Sequence, residues 1–326
     1  MNSRDRILKT LNLEEPDRVP FADYVEDKMR AVLMGRDDFT DIDFARKMGF
    51  DAININHFVA PVFCARKFVD GHDYILDGLI KSDRDLDLMV FPDPVRDLAY
   101  DEAQKIIEAN QAAGLATYAI CRFGISGVNY SMGIEALSYA IYENPGLIEK
   151  VMERYVDWNC SVIERLNKIG VDFIISYDNI AFNSGPLVSP QVFREFFLPG
   201  MRAISDKCKM PWITHMDGNI MPIMEDILAM GVSGLHPIEP GCMDIKMVKE
   251  KYGDKVCLWG NIDLRYTLTR GTPEEVDAEV KQRIEDIAPG GGYIIGSSNG
   301  LPEYCKIDNI WAMVKAIKKY GKYPIH

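Results

Sequence analysis

The chain has 326 residues, 47% hydrophobic and 26% charged, a balance that suits a globular protein with a sizeable core and a length that suits an α/β barrel. Its net charge of −12 argues against a nucleic-acid or anionic-membrane binder, which needs clustered Lys and Arg. The seven cysteines are scattered without a Cys-x-x-Cys pair, which excludes a zinc ribbon and points to free thiols packed as small hydrophobes.

Met1 to Arg6 leads straight into a charged amphipathic helix, from Ser3 to about Leu13, rather than into a signal peptide. No apolar run approaches the ~20 residues of a membrane span, so the expected location is cytoplasmic. From there a short β-like run, a polar loop and a helix of 3.6-residue periodicity alternate along the chain. The runs are Val19–Ala22, Ala52–Ile55, Thr117–Cys121, Asp172–Ser176, Trp212–His215, Gly234–Ile238, Val256–Gly260 and Tyr293–Gly296. Asn144-Pro145 opens a helix that Gly170 ends, Ser189-Pro190 opens another, and Thr272-Pro273-Glu274-Glu275 has the form of a capping box with Pro at N1. A last helix starts at Asp308-Asn309.

Pro61 to Pro94 breaks this rhythm. Tyr74-Ile75-Leu76 and Leu79-Ile80-Lys81 flank Asp77-Gly78, a strong hairpin-turn signal. The pattern predicts one domain over 1–326. It would be a closed (β/α)₈ barrel with an N-terminal helix and a hairpin-containing insertion between the second and third strands, lying over the mouth. No glycine-rich phosphate fingerprint supports an open doubly wound sheet instead.

In such barrels the chemistry stands just past the C-terminal strand ends. Read in turn, those positions offer Asp23 and Tyr24, then Asn56 and His57, then Arg122 and Phe123, then Tyr177, Asp178 and Asn179. The later ends offer His215 and Asp217, His236 and Glu239, Asn261 and Asp263, and Ser297, Ser298 and Asn299. A lone Asp after a strand caps a helix more readily than it catalyses. His57 reads equally as a loop residue, and Arg122 as the partner of a nearby acid. Asp178, His215, Asp217 and Glu239 differ, because burying four ionisable groups together is costly unless they serve one another or a metal.

Several segments carry a resemblance. Arg4-Asp5-Arg6-Ile7-Leu8, Glu15-Pro16-Asp17-Arg18-Val19-Pro20, Gly133-Ile134-Glu135-Ala136-Leu137 and Leu187-Val188-Ser189-Pro190 are four of them. His215-x-Asp217-Gly218, Gly260-Asn261-Ile262-Asp263 and Gly271-Thr272-Pro273-Glu274-Glu275-Val276 complete the set. Together they resemble the uroporphyrinogen decarboxylase superfamily, in its corrinoid-dependent methyltransferase branch. Uroporphyrinogen decarboxylase itself must neutralise eight carboxylates with an Arg-rich N-terminal segment that is lacking here. The methyltransferase branch implies a small-molecule methyl donor and a corrinoid (cobalamin) carried by a separate partner protein.

In the coenzyme M enzymes of that branch zinc is held by His-x-Cys and a later Cys. Here His215 matches the histidine, Asp217 takes the first cysteine's place and Asn299 falls at about the second. The resemblance thus implies a harder zinc shell of His215, Asp217 and Glu239 or Asp178, suited to polarising an ether or alcohol oxygen. The expected activity is methyl transfer from a small O-methyl or related donor to cob(I)alamin. Asp178, His215, Asp217 and Glu239 would be ligands or acid/base groups, and Tyr24, His57, Arg122, Phe123, Asn261, Asp263, Ser298 and Asn299 would hold substrate. The alternatives are a carboxy-lyase acting on a smaller substrate, with Asp178 or Asp217 as proton donor, and a non-catalytic binding barrel.

Overall fold

In the computed structural model of the chain, residues 1–69 and 72–325 are described. Seven parallel strands form the main sheet: β1 (Ala52–Ile55), β2 (Ala116–Cys121), β3 (Phe173–Tyr177), β4 (Trp212–His215), β5 (Gly234–His236), β6 (Cys257–Ile262) and β7 (Tyr293–Ser297), paired in that order. The strands are apolar on both faces, as parallel strands covered on both sides must be. Alternate residues Tyr118, Ile120, Phe173, Ile175, Ile213, Trp259 and Ile294 form an inner cluster. The residues between them, such as Ala119, Ile174, Trp212, Leu258 and Ile295, join the larger core that includes the outer helices. The N-terminal helix, Ser3–Leu11, contributes Ile7 and Leu11 to the inner cluster.

The expected closed eight-stranded barrel is not formed: the sheet is open, strongly curled and seven-stranded. The segment Val19–Ala22, expected as the first strand, makes only an isolated parallel bridge, Phe21 to Ile295. Ile295 N–H donates to the Pro20 carbonyl at 2.9 Å and Ala22 N–H to the Ile295 carbonyl at 3.2 Å, while on the other side Asp51 N–H reaches the Phe21 carbonyl at 2.7 Å. The sheet is therefore curled enough for both edges to meet one short segment. Two chemical facts stop that segment from becoming a strand. Pro20 has no N–H to give, and the Phe21 N–H is taken by the Asp51 carboxylate at 2.8 Å.

Between β1 and β2 lies an antiparallel hairpin of Cys64–Val69 and His72–Gly78. Residues 70 and 71 lie outside the described residues, and the turn expected at Asp77-Gly78 is not formed there. Asp77 and Gly78 instead pair with Ala65 and Cys64 inside the ladder. Gly78 serves a close approach: a Cβ there would collide with the backbone of Ser131, Met132 and Gly133. This seats the hairpin base on the helix Ile125–Met132, beside the mouth of the sheet.

The helix signals correspond to observed helices. Pro145–Ile169 has Pro at N1 and ends at Gly170 in the left-handed region, and Pro273–Ile287 carries the Thr272/Glu275 capping box. Among the described residues no helix is long and apolar enough to cross a membrane.

Candidate active site

The C-terminal strand ends surround a cavity of about 530 Å³. Its lining includes Asn56, Arg122, Tyr130, Tyr177, Asn179 and His215, with Tyr24, Asp217 and Asn299 shared with an adjoining cavity of about 390 Å³. His215 ends β4 and is held on three sides. Its Nδ1 lies 2.6 Å from Nδ1 of His236, the residue in register with it on β5. Its Nε2 lies 3.5 Å from Asp217 Oδ1, and the Tyr177 ring packs edge-on against it at 4.4 Å between centroids. Burial, aided by the neighbouring His215, drives the His236 pKa well below the usual imidazole value. His236 is therefore a neutral ring.

Asp217 is placed by the loop leaving β4. Gly218, at φ +80°, lies so close to the short ribbon Ala181–Phe182 that a Cβ would come within 2.6 Å of the Phe182 carbonyl oxygen. The Asp217 carboxylate accepts from Asn179 Nδ2 at 2.9 Å and from Asn299 Nδ2 at 3.3 Å. Burial pushes its pKa up, but bonds from His215, Asn179 and Asn299 outweigh it and hold the group below the ordinary carboxylate value. It stays an anion facing His215.

The other expected residues separate. Asp178 is fully buried and does not line the cavity: its two oxygens accept the Phe123 N–H at 3.0 Å and the Gly124 N–H at 3.1 Å, at the start of helix Ile125–Met132. Phe123 is buried and stacks on Trp212. Arg122 reaches the cavity while donating to the Ala60 carbonyl. Glu239, Asp263 and Ser298 line the adjoining cavity. There Glu239 is paired with Arg265 at 2.8 Å and accepts the Gly218 N–H at 3.1 Å. Asp263 accepts two backbone amides of its own turn, and Ser298 Oγ accepts the Leu264 N–H. His57 lines a separate pocket, and Asn261 is buried, donating to the Ile238 carbonyl.

Zinc needs at least three protein donors converging on one point. Among the described residues no three His, Cys, Asp or Glu side chains do so. His215 and Asp217 face each other, while Glu239 and Asp178 are engaged elsewhere. The residues present do not fit a zinc shell, and the chemistry below is that of proton and hydrogen-bond groups alone.

Sequence reasoning gave no role to His236, Tyr177 or Asn179, although all three stood at strand ends. Their signal was position; what was missing was lateral register, which places His236 beside His215.

The uroporphyrinogen decarboxylase (URO-D) family model matches residues 96–320. The chain belongs to that family, and its fold is an enzyme fold of the decarboxylase/methyltransferase superfamily. It is similar to a methylcobamide:CoM methyltransferase of Methanosarcina barkeri, at 27% identity over 174 residues, 53% of this chain and 49% of that protein. The match thus spans about half the length of that relative. A uroporphyrinogen decarboxylase of Magnetococcus marinus is 22% identical over 278 residues, covering 78% of this chain and 73% of that one. Among solved structures, a methyltransferase from Methanosarcina mazei superposes with a TM-score of 0.78 at 19% identity, over 98% of this chain and 99% of that chain.

Proposed function

We propose that the protein is a corrinoid-dependent methyltransferase, moving a methyl group from a small O-methyl or related donor to cob(I)alamin on a partner protein docked over the mouth. The observation that carries this reading is the string His236–His215–Asp217 on the wall of a cavity lined by aromatic and polar side chains. In an in-line displacement the carbon–oxygen bond breaks with its electron pair left on oxygen, and the cobalt(I) pair forms the new bond to carbon. An alkoxide leaves poorly unless a proton reaches it. Protonated His215 supplies that proton from Nε2, Asp217 stabilises the imidazolium, and neutral His236 accepts from Nδ1–H and fixes the ring. Tyr24, Tyr130, Val59 and Ile120 supply the apolar surface that aligns the donor. The Methanosarcina barkeri relative, whose name gives a methylcobamide as its methyl donor, supports a corrinoid as one of the two methyl-exchanging partners. The direction of transfer rests on the proton-donating string.

A second reading, a carboxy-lyase on a smaller substrate, is favoured by Arg122. It is the one Lys or Arg among the described lining residues of this cavity, enough for a single carboxylate and far short of eight.

The test mixes chemically reduced hydroxocobalamin with the protein and a panel of methanol and methoxybenzenes without oxygen, following methylcobalamin by absorbance. Formation is expected, and His215→Ala should slow it by about 10²–10⁴-fold. Carbon dioxide release from a small carboxylated substrate, without methyl transfer, would favour the second reading. Undiminished transfer in His215→Ala would remove the acid role.

A further inference from the structure

The segment 20–26 runs along 295–303 at the seam of the open sheet, and its backbone pairing has a gap. On one side of the gap Ile295 bonds to Pro20 and Ala22. On the other, Leu301 N–H donates to the Tyr24 carbonyl at 2.7 Å and Glu26 N–H to the Leu301 carbonyl at 3.2 Å. Between them stands the Asp23 side chain. Its Oδ2 accepts the Ser297 N–H at 2.7 Å, and its Oδ1 accepts the Ser297 hydroxyl at 2.9 Å and the Tyr24 N–H at 3.0 Å. This carboxyl is buried with no cation beside it among the described residues, and burial pushes its pKa up to about 7. The ionisable groups that feel its charge are Tyr118 on β2, Tyr177 on β3 and Cys305 after the seam. Burying such a group is costly unless hydrogen bonds compensate it, and here those bonds tie the two segments together.

We propose that Asp23 is a positioning residue of the site, a clasp that replaces the missing eighth strand at the mouth and holds Tyr24 and Asn299 in place around the cavity. Tyr24, which it bonds, and Asn299, two residues beyond the bonded Ser297, line the reaction cavity and its neighbour, and Asn299 bonds to Asp217. Asp23 itself lines neither of them, so it acts through its neighbours. The kinetic part of the inference rests on the methyl-transfer reading; the clasp does not.

The test uses full-length Asp23→Asn and Asp23→Ala. Amide hydrogen exchange should lose protection at Tyr24 and Ser297 by at least about tenfold, while amides inside the β2–β3 ladder stay unchanged. In methyl transfer, KM for the methoxylated donor should rise at least about tenfold with kcat nearly constant. The kcat/KM profile of the wild type should bend near pH 7, and that bend should vanish in Asp23→Asn. Unchanged protection overturns the clasp, and lost protection with an unchanged KM overturns the positioning role. If the wild type transfers no methyl group, the methyl-transfer reading fails on its own. A crystal structure of Asp23→Ala then decides the inference: a retained Asn299–Asp217 contact overturns it, and a lost one supports it.

Discussion

Asp51 and Asp23 are both buried carboxylates, at opposite ends of the sheet, and they are treated in opposite ways. Asp51, just before β1, accepts from Arg6 at 2.6 Å and from Arg18 at 2.8 and 2.9 Å. Nearby Asp172, just before β3, takes Arg4 at 2.6 Å, and bonding to Arg6 holds Asp17 down at about 2. At the mouth, Asp23 accepts from the Tyr24 and Ser297 N–H groups and the Ser297 hydroxyl. Asp178 accepts from the Phe123 and Gly124 N–H groups with Arg122 acting on it only through space, and burial raises the pKa of both carboxyls. The bottom neutralises its charge and closes the fold. At the mouth Asp23 and Asp178 instead hold backbone segments in place, consistent with stability at one face of a barrel-like sheet and chemistry at the other.

The contrast can be broken most forcefully at the bottom. Asp51→Asn leaves Arg6 without its buried partner, and such a loss should cost about 3–5 kcal/mol in urea denaturation, with activity per folded molecule retained. A loss under about 1 kcal/mol would mean the arginines are solvated well enough without it.

A subtler difference should appear in pH. In the folded chain Asp23 holds its proton up to about pH 7, whereas unfolded it releases it near 3.8. Its stabilising contribution is therefore full below the unfolded value and is lost as pH rises through the folded one. The stability of the wild type relative to Asp23→Asn should fall between those limits by on the order of 1.4 kcal/mol per pH unit. A flat difference across that window would show that Asp23 titrates normally.

The smallest effect is expected at Asp178. Asp178→Asn keeps one acceptor of two, so it should cost about 1–3 kcal/mol of stability. Turnover should stay within about threefold, against the 10²–10⁴ of an acid–base group. A hundredfold loss of turnover at unchanged melting temperature would make Asp178 part of the chemistry after all.

Local pattern by itself determined the alternation of strands and helices, because burial on both faces of a parallel strand and on one face of a helix leaves its period in the residues. Trp212–His215, the Asn144-Pro145 start and the Thr272 capping box are short-range facts, legible where they stand. The strand-end rule also led to His215, Asp217 and Asn299, which the fold does bring together. Only the tertiary structure decided whether the sheet closes. That depended on a carboxylate 30 residues away in sequence, Asp51, competing for the Phe21 N–H. It likewise moved Gly78 from a turn to a tight contact with a distant helix. Register across β4 and β5 set His236 against His215, and the choice of partner sent Asp178 to a helix start and Glu239 to Arg265. Residue type and spacing say which groups reach the mouth; which of them face one another depends on long-range competition for hydrogen-bond partners, and that has no local signature.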